Sequence, residues 1–257
     1  MLKPQRKTSF GRIAREYQKY RRTYDSRLYK LLFSLLPKKE LNILDIGCGT
    51  GKSTESLLFD VKRRNISVIG IDPDEAMLHE AHLSAKKKGL PITYLQGTAE
   101  KLPYKDQFDA IISGSAFHWF GNKKALSRIK RALKEHGVFF IFWVQSLKLD
   151  KPTIGRDVYI KYKYEGIPQK FRDQEFVYNL LSEAGFKRVR KSTILFSEKK
   201  SISDTIGVLK TNSAYALMSP TTQKQFVREM TKAYKIALGA KKYDSNKLEL
   251  RICYGLK

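Results

Sequence analysis

From Leu41 to Val144 the chain alternates short apolar runs with helical stretches, and this rhythm restricts its fold more than any other feature. The runs at 41–46, 66–72, 92–96, 107–113 and 137–144 read as strands, and the intervening 51–63, 74–88 and 121–134 as helices. Strands separated by helices form a parallel, doubly wound α/β sheet whose ligand site lies at the carboxyl ends of its strands. Gly89 with Pro91, and Gly137, supply stop signals for the second and third helices. The longest apolar run, Val138 to Val144 ("VFFIFWV"), reads as a buried strand and falls far short of the roughly 20 residues of a membrane span. No membrane span is expected.

The 257 residues, 42% of them hydrophobic, suit one substantial domain with decorated ends. Residues 1–9 read as a basic tail and Phe10 to Leu36 as helical, with "SRLYKLLFSLL" opening on a capping Ser26 and stopping at Pro37. Residues 145–171 lack periodicity and carry Pro152, Gly155, Gly166 and Pro168 among aromatics, which predicts an insertion or lid beside the site. A helix at 172–184, a strand near 187–197, two helical stretches within 202–238 and a closing strand "KLELRICYGL" (Lys247 to Leu256) follow. The expected organisation is a tail with cap helices at 1–37, a ligand-binding core at 38–145, and at 146–257 a lid, a helical cover and last strands that complete the same domain.

The first strand runs into "LDIGCGTGKST", Leu44 to Thr54. A phosphate-cradling loop needs four residues between its first glycine and Gly-Lys-Ser/Thr; only Cys48, Gly49 and Thr50 separate Gly47 from Gly51. A dinucleotide fingerprint places its third glycine where Lys52 stands. What survives is a glycine turn that opens a helix and lets backbone approach a ligand closely. Asp45, immediately before the turn, repels a triphosphate and attracts a ligand carrying positive charge.

Asp72 ends the second strand in "VIGIDPDEAML". An acid about 20 residues beyond such a turn is placed to accept both hydroxyls of a ribose. Alone, it serves equally well as a helix cap with Pro73 and Asp74; paired with Asp45 and the three glycines, the ribose reading prevails. "YLQGTAEKLPY" (Tyr94 to Tyr104) puts Gly97, Thr98, Ala99 and Glu100 where a loop borders the base of a nucleoside, and "FDAIISGSAFHWF" (Phe108 to Phe120) delivers a strand, small residues and His118-Trp119.

In this order, "ILDIGCGTG", "IGIDPDEAML", "GTAEKLPY" and "FDAIISGSAFHWF" resemble a class I S-adenosylmethionine-dependent methyltransferase of the methyltransferase-type-11 kind over residues 41–120. "YQKYRRTYDSRLY" (Tyr17 to Tyr29) is similar to the Tyr-x-x-Tyr-Arg-Pro-x-Tyr-Pro segment that covers the cofactor in trans-aconitate methyltransferase-like enzymes, with Arg22 and Asp25 in place of the prolines. The resemblance implies a Rossmann-like, mostly parallel seven-stranded sheet with an antiparallel last strand, N-terminal helices, a C-terminal helical cover, and S-adenosyl-L-methionine as cofactor. It implies that Gly47, Gly49 and Gly51 run beside the methionine moiety, that Asp45 meets its ammonium directly or through water, and that Asp72, with Pro73 beside it, holds the ribose. Met77 or Ala99 then lies against adenine, and Thr98 or Glu100 contacts its polar edge. Tyr17, Tyr20 and Arg21 are implied to cover the cofactor and neutralise its carboxylate.

Methyl displacement on a sulfonium requires alignment and exclusion of water, and no metal. His118 is a candidate general base for a hydroxyl, carbon-acid or protonated amine acceptor; alternatively His118 and Trp119 shape the pocket and bind the acceptor. A carboxylate acceptor needs no base. Ser113 and Ser115 either contact a ligand or make room for one. His79 and His82 sit on adjacent helical turns with no third ligand nearby in sequence, which suits a surface helix better than a metal site. Tyr159, Tyr162, Tyr164 and Phe171 line an acceptor pocket or pack the lid.

Lys plus Arg number 50 against 25 Asp plus Glu, a net charge of +25 that attracts nucleic acid or an acidic membrane surface. The lysines occur singly and in short runs without a binding module, which favours a solvated lysine-rich surface. Cys48 and Cys253 form no metal or redox pattern, and the polar amino terminus lacks a signal peptide's apolar core, so a cytoplasmic location with reduced thiols is expected. The expected activity is methyl transfer to a small-molecule acceptor, with a carboxylic acid as one candidate. An RNA-directed methyltransferase and a donor-binding protein without turnover are the alternatives; against an exocyclic base amine as acceptor, "SGSAFHWF" stands where an Asn/Asp-Pro-Pro-Tyr-like motif would follow the fourth strand.

Overall fold

The structure, a computed structural model, describes residues 13–37, 40–59, 65–147, 153–163 and 169–257. The expected tail at 1–9, the helical start at Phe10, the end of the first core helix at 63, and Pro152, Tyr164, Gly166 and Pro168 lie outside the described residues.

Strands β1 (Leu41–Ile46), β2 (Ile66–Asp72), β3 (Ile92–Gln96), β4 (Phe108–Gly114), β5 (Leu133–Ser146), β6 (Lys187–Lys200) and β7 (Asp244–Leu256) form one sheet of order β3-β2-β1-β4-β5-β7-β6. The first five pair in parallel, and β7 is antiparallel to both β5 and β6. This is the doubly wound, Rossmann-like sheet with an antiparallel last strand that the sequence predicts. The chain moves from β1 outward to β3 and then returns to β4, and the reversal leaves a crevice where the loops after β1, β2 and β4 converge.

Helices α1 (Ala14–Tyr20) and α2 (Ser26–Ser34) precede the sheet, and α3 (Lys52–Phe59), α4 (Glu75–Lys88) and α5 (Lys123–Ala132) connect its parallel strands. Beyond β5 come α6 (Arg156–Lys161), α7 (Gln174–Glu183), α8 (Ile202–Lys210), α9 (Ser213–Ala216) and α10 (Pro220–Leu238). Strand β5 shows why "VFFIFWV" carries no alternation. Phe139 and Ile141 pack with Ile129 of α5 and Leu181 of α7, whereas Phe140 and Phe142 pack with Leu28 and Leu32 of α2. Neighbouring side chains point to opposite faces, so a strand covered on both sides is apolar throughout.

The ends of elements depart from expectation for local reasons. The cap of α2 is Asp25 and not Ser26: its side chain accepts from the Arg27 N–H at 2.9 Å and separates α2 from α1. Leu133 already pairs with Phe108, so β5 starts ahead of Gly137. The segment expected to lack structure holds α6, whose six residues are too few to show a helical period. Lys161 of α6 pairs with Glu229 of α10 at 2.6 Å, and Tyr159 and Tyr162 pack around Phe226 and Met230, so these two tyrosines belong to the helical cover. Pro220 opens α10 at its first turn, and the region expected to hold two helical stretches holds three. Among the described residues no helix is long and apolar enough to cross a membrane.

Phe140→Ala, at a site buried on both sides by β5 neighbours and α2, should lower the unfolding free energy by about 3–5 kcal/mol in urea titrations. Leu195→Ala, on a side chain 61% exposed, should change it by no more than about 0.5 kcal/mol.

Candidate active site

Two contacts shape the turn after β1. Gly47, Gly49 and Gly51 have φ of +70°, +55° and +81°. A Cβ on Gly47 would lie 2.5 Å from the Ala116 Cβ, and one on Gly51 would lie 2.2 Å from the Tyr94 hydroxyl. Glycine alone combines the left-handed backbone with this approach. The N–H groups of Gly47 and Cys48 donate to the Ile71 carbonyl at 2.8 and 3.0 Å, holding the turn against the end of β2.

Asp72 stands at that end. Its Oδ2 accepts from the Gly49 N–H at 2.9 Å and its Oδ1 from the Asp74 N–H at 2.9 Å. Each oxygen retains a lone pair for a further donor. Burial pushes the carboxyl up to about 6, against the opposing pull of the two amides. Asp74 takes the capping role, accepting from the N–H groups of Ala76 and Met77 at the start of α4.

Asp45 lies beneath the turn and outside the cavity wall. It is fully buried; its Oδ2 accepts from Ser53 Oγ at 2.5 Å and Thr54 Oγ1 at 2.7 Å, while Oδ1 has no hydrogen-bond partner. Burial raises this carboxyl also to about 6.

Above the turn opens a cavity of about 590 Å³. Its wall takes Gly47 and Gly49 from the turn, Asp72, Pro73 and Met77 from β2 and α4, and Thr98, Ala99 and Glu100 from the loop after β3. Tyr17 of α1 and Trp119 complete the predicted part of the lining. Glu100 is held in place by the Asn122 side-chain amide at 3.1 Å. Ala116 and Phe120 also line the cavity, and with no polar side chain they gave no chemical signal in the sequence. Among the described residues the lining contains Asp72, Asp74, Glu75 and Glu100 and no basic side chain.

Several predicted residues stand elsewhere. Ser113 is still within β4, fully buried, and donates to the Ile46 carbonyl at 3.2 Å; Ser115, past the strand's end, reaches the cavity instead. Gly51 packs under Tyr94. The ring of Tyr20 lies against Gly207 of α8, where a Cβ would come within 2.3 Å. Arg21 stacks its guanidinium over the Tyr17 ring at 4.8 Å and donates to the Thr211 carbonyl at 3.3 Å. Tyr20 and Arg21 thus brace α1 behind Tyr17.

Ser115 has φ +54°, rare for a residue with a side chain, and its N–H donates to the Phe142 carbonyl at 2.8 Å. Its Oγ accepts from the Tyr24 hydroxyl at 3.2 Å, and the Tyr24 ring meets Phe142 edge-on at 4.7 Å. Beyond Ser115 and Ala116 lies a recess of about 10 Å³ walled by His118, Trp143 and Phe171, room for about one water-sized group. Burial, then the guanidinium groups of Arg21 and Arg172, push the His118 imidazole down to about 3, so it is neutral near pH 7. His82 packs edge-on against Tyr94, and among the described residues no three His, Cys, Asp or Glu side chains gather as a metal site.

A family model described as a methyltransferase domain, of type 11, matches residues 44–141. A Dictyostelium discoideum protein named as a methyltransferase is 29% identical over 245 residues, 91% of this chain and 89% of that one. The ubiquinone biosynthesis O-methyltransferase of Dinoroseobacter shibae is 31% identical over 177 residues, 65% of this chain and 70% of that one. Malonyl-acyl-carrier-protein O-methyltransferase 2 of Ilyobacter polytropus is 26% identical over 233 residues, 86% and 85% of the two chains. Against several other methyltransferases the match spans about half of their length. A methyltransferase structure from Anaeromyxobacter dehalogenans superposes with a TM-score of 0.61 at 20% identity, covering 92% of this chain and 98% of that one. The chain belongs to the class I S-adenosylmethionine-dependent methyltransferases. It is an enzyme, and S-adenosylmethionine is its methyl donor. The residues present fit that donor: an acidic cavity suits a cationic ligand without phosphates, and Gly47 and Gly49 bring bare backbone to its wall.

Binding of a cationic ligand favours ionised carboxylates. Asp45 and Asp72 release their protons near pH 6, so donor binding in this range expels protons and tightens as pH rises from about 5 to about 7. Titration calorimetry with S-adenosylmethionine in buffers of different ionisation enthalpy reads both effects. Asp72→Ala should weaken that binding by about 100-fold if the free lone pairs of this cavity-lining carboxylate accept two hydrogen bonds from the donor.

Proposed function

We propose that the enzyme transfers the methyl group to a carboxylate oxygen of a small organic acid. The observation that carries this reading is the recess beyond Ser115. It adjoins the donor cavity, contains a neutral His118 near Arg21 and Arg172, and has no acidic side chain in its lining among the described residues. Such a place attracts an anion. An ionised carboxylate needs no base and attacks once aligned. The O-methyltransferase names of two relatives support an oxygen acceptor.

The donor supplies an electrophilic methyl group on a sulfonium. In this reading Asp72 accepts the ribose hydroxyls, with Pro73 beside it, and the turn from Gly47 to Gly51 follows the methionine moiety. Asp45, behind the wall, reaches the ammonium through water. Met77 and Ala99 flank adenine, and Thr98 or Glu100 takes its polar edge. Tyr17 covers the donor, as the resemblance of the Tyr17 to Tyr29 segment to trans-aconitate methyltransferase-like enzymes implies, and Trp119, in the same lining, helps to exclude water. Arg21, placed near His118, serves the acceptor and not the donor carboxylate. His118 orients the acceptor by hydrogen bonding; an imidazole held near 3 is a poor proton acceptor. The +25 charge favours RNA as a second acceptor class; transfer to RNA that falls steeply with salt would establish it.

With labelled donor, a carboxylic acid fraction should yield labelled methyl ester. His118→Gln should retain kcat within about tenfold, and kcat/KM for the acid at saturating donor should stay flat from about pH 6 to 9. A loss of about 100-fold or more with an inflection near 6.5 would instead identify His118 as a general base.

A further inference from the structure

Trp143 lines the recess beyond Ser115 and carries a hydrogen-bond donor that the proposed reaction does not use. Trp143 of β5 is 5% exposed, and its indole N–H has no hydrogen-bond partner. A buried indole N–H ordinarily finds one, and leaving it bare is costly. Phe117, Phe171, Ile141 and Val177, which share the recess wall with Trp143, have no polar side-chain atom; the polar side chains of the wall are Ser115, whose Oγ accepts from the Tyr24 hydroxyl, and His118, and neither is hydrogen-bonded to the indole. The cationic side is built from the same place. Across the β5–β7 ladder Trp143 pairs with Arg251, whose guanidinium donates to the Arg172 carbonyl at 2.8 Å and is anchored on Glu249 at 2.7 Å. This fixes the backbone of Arg172 beside the recess.

We infer that Trp143 determines acceptor specificity: its indole N–H donates to one carboxylate oxygen of the acid, seated in the recess, while the second oxygen points through the Ser115 and Ala116 opening toward the donor. The inference rests on the carboxylic acid reading. The recess has room for about one oxygen-sized group, and a carboxylate is the acceptor that offers one oxygen to hold and an equivalent one to react. The reacting oxygen forms the new C–O bond as the S–C bond breaks, the electron pair of that bond stays on sulfur, and no proton moves. The product ester leaves an uncharged carbonyl oxygen on the indole, a weaker acceptor than the carboxylate it replaces.

Trp143→Phe removes the N–H and keeps a ring in the core. The chain has two tryptophans, so a ¹⁵N spectrum of the S-adenosylhomocysteine complex shows two indole signals, and this variant assigns them. The probes are acetate, succinate and benzoate, with the corresponding amides and alcohols as uncharged counterparts. The expected result is that an acid which is methylated moves the Trp143 indole proton downfield, and that Trp143→Phe raises its KM about 10- to 100-fold with unchanged affinity for S-adenosylhomocysteine. An acid methylated by Trp143→Phe at the wild-type KM, or methylated without movement of the Trp143 signal, overturns the inference and leaves the proposed reaction standing. Methylation of uncharged counterparts with no reaction or binding of any acid overturns the carboxylic acid reading and the inference together. If Trp143→Phe does not fold, Trp119→Phe assigns the signals and the wild-type titration decides.

Discussion

The backbone of Gly47 passes so close to Ala116 that a Cβ would overlap it, and Gly51 is pressed in the same way against Tyr94. These approaches connect the turn after β1 to β3 on one side and to the loop after β4 on the other. They also leave the Gly49 N–H pointing at Asp72. The donor wall is therefore one mechanical unit: a side chain at either glycine displaces the turn, and with it the amide that orients the acid. Dense packing transmits such a displacement and does not absorb it.

Electrostatics impose a second condition. The chain carries +25, yet the described lining of its donor cavity is acidic with no basic side chain. Asp45 is fully buried with one oxygen unpartnered, and its rise from 3.8 to about 6 corresponds to a penalty on the order of 3 kcal/mol for the ionised form. Ser53 and Thr54 offset only part of that penalty. In the proposed reading a positive donor beyond the wall removes more of it, so that binding relieves an unfavourable arrangement held in advance by the fold. A surface rich in lysine does not conflict with this, because exposed charges are screened within about 10 Å by salt, and the buried Asp45 is screened much less.

The parallel part of the sheet was legible because each strand and helix repeats its signal over several residues. Leu41 to Ile46 and Ile92 to Gln96 coincide with their sequence ranges. The donor cavity was legible for a related reason: Gly47, Gly49, Asp72, Met77 and Ala99 each lie within a contiguous motif at a strand's end. What could not be read depends on tertiary placement. Ser113 and Ser115 are both small and hydroxylated, and only the left-handed backbone at Ser115 decides which faces the cavity. The resemblance assigns Arg21 to the donor's carboxylate, and only the fold shows that it also stacks on Tyr17 and acts on the charge of His118. The six residues of α6 are too few to show a period.

Donor and acceptor sides of this site differ in how they are encoded. The donor side is built mostly of backbone and short contiguous motifs. In the proposed reading the acceptor side joins Tyr24 from before α2, Ser115 from after β4, Trp143 from β5 and Arg172 from before α7, single side chains with no motif between them. Ser115 is the point where the two meet. Its strained backbone persists because the Phe142 carbonyl holds its N–H and the Tyr24 hydroxyl holds its Oγ, and strain of this kind survives only where its surroundings over-determine it. In that reading a change in one or two of these dispersed side chains alters the acceptor, while the turn at Ser115 stays fixed and keeps the alignment that the reaction needs.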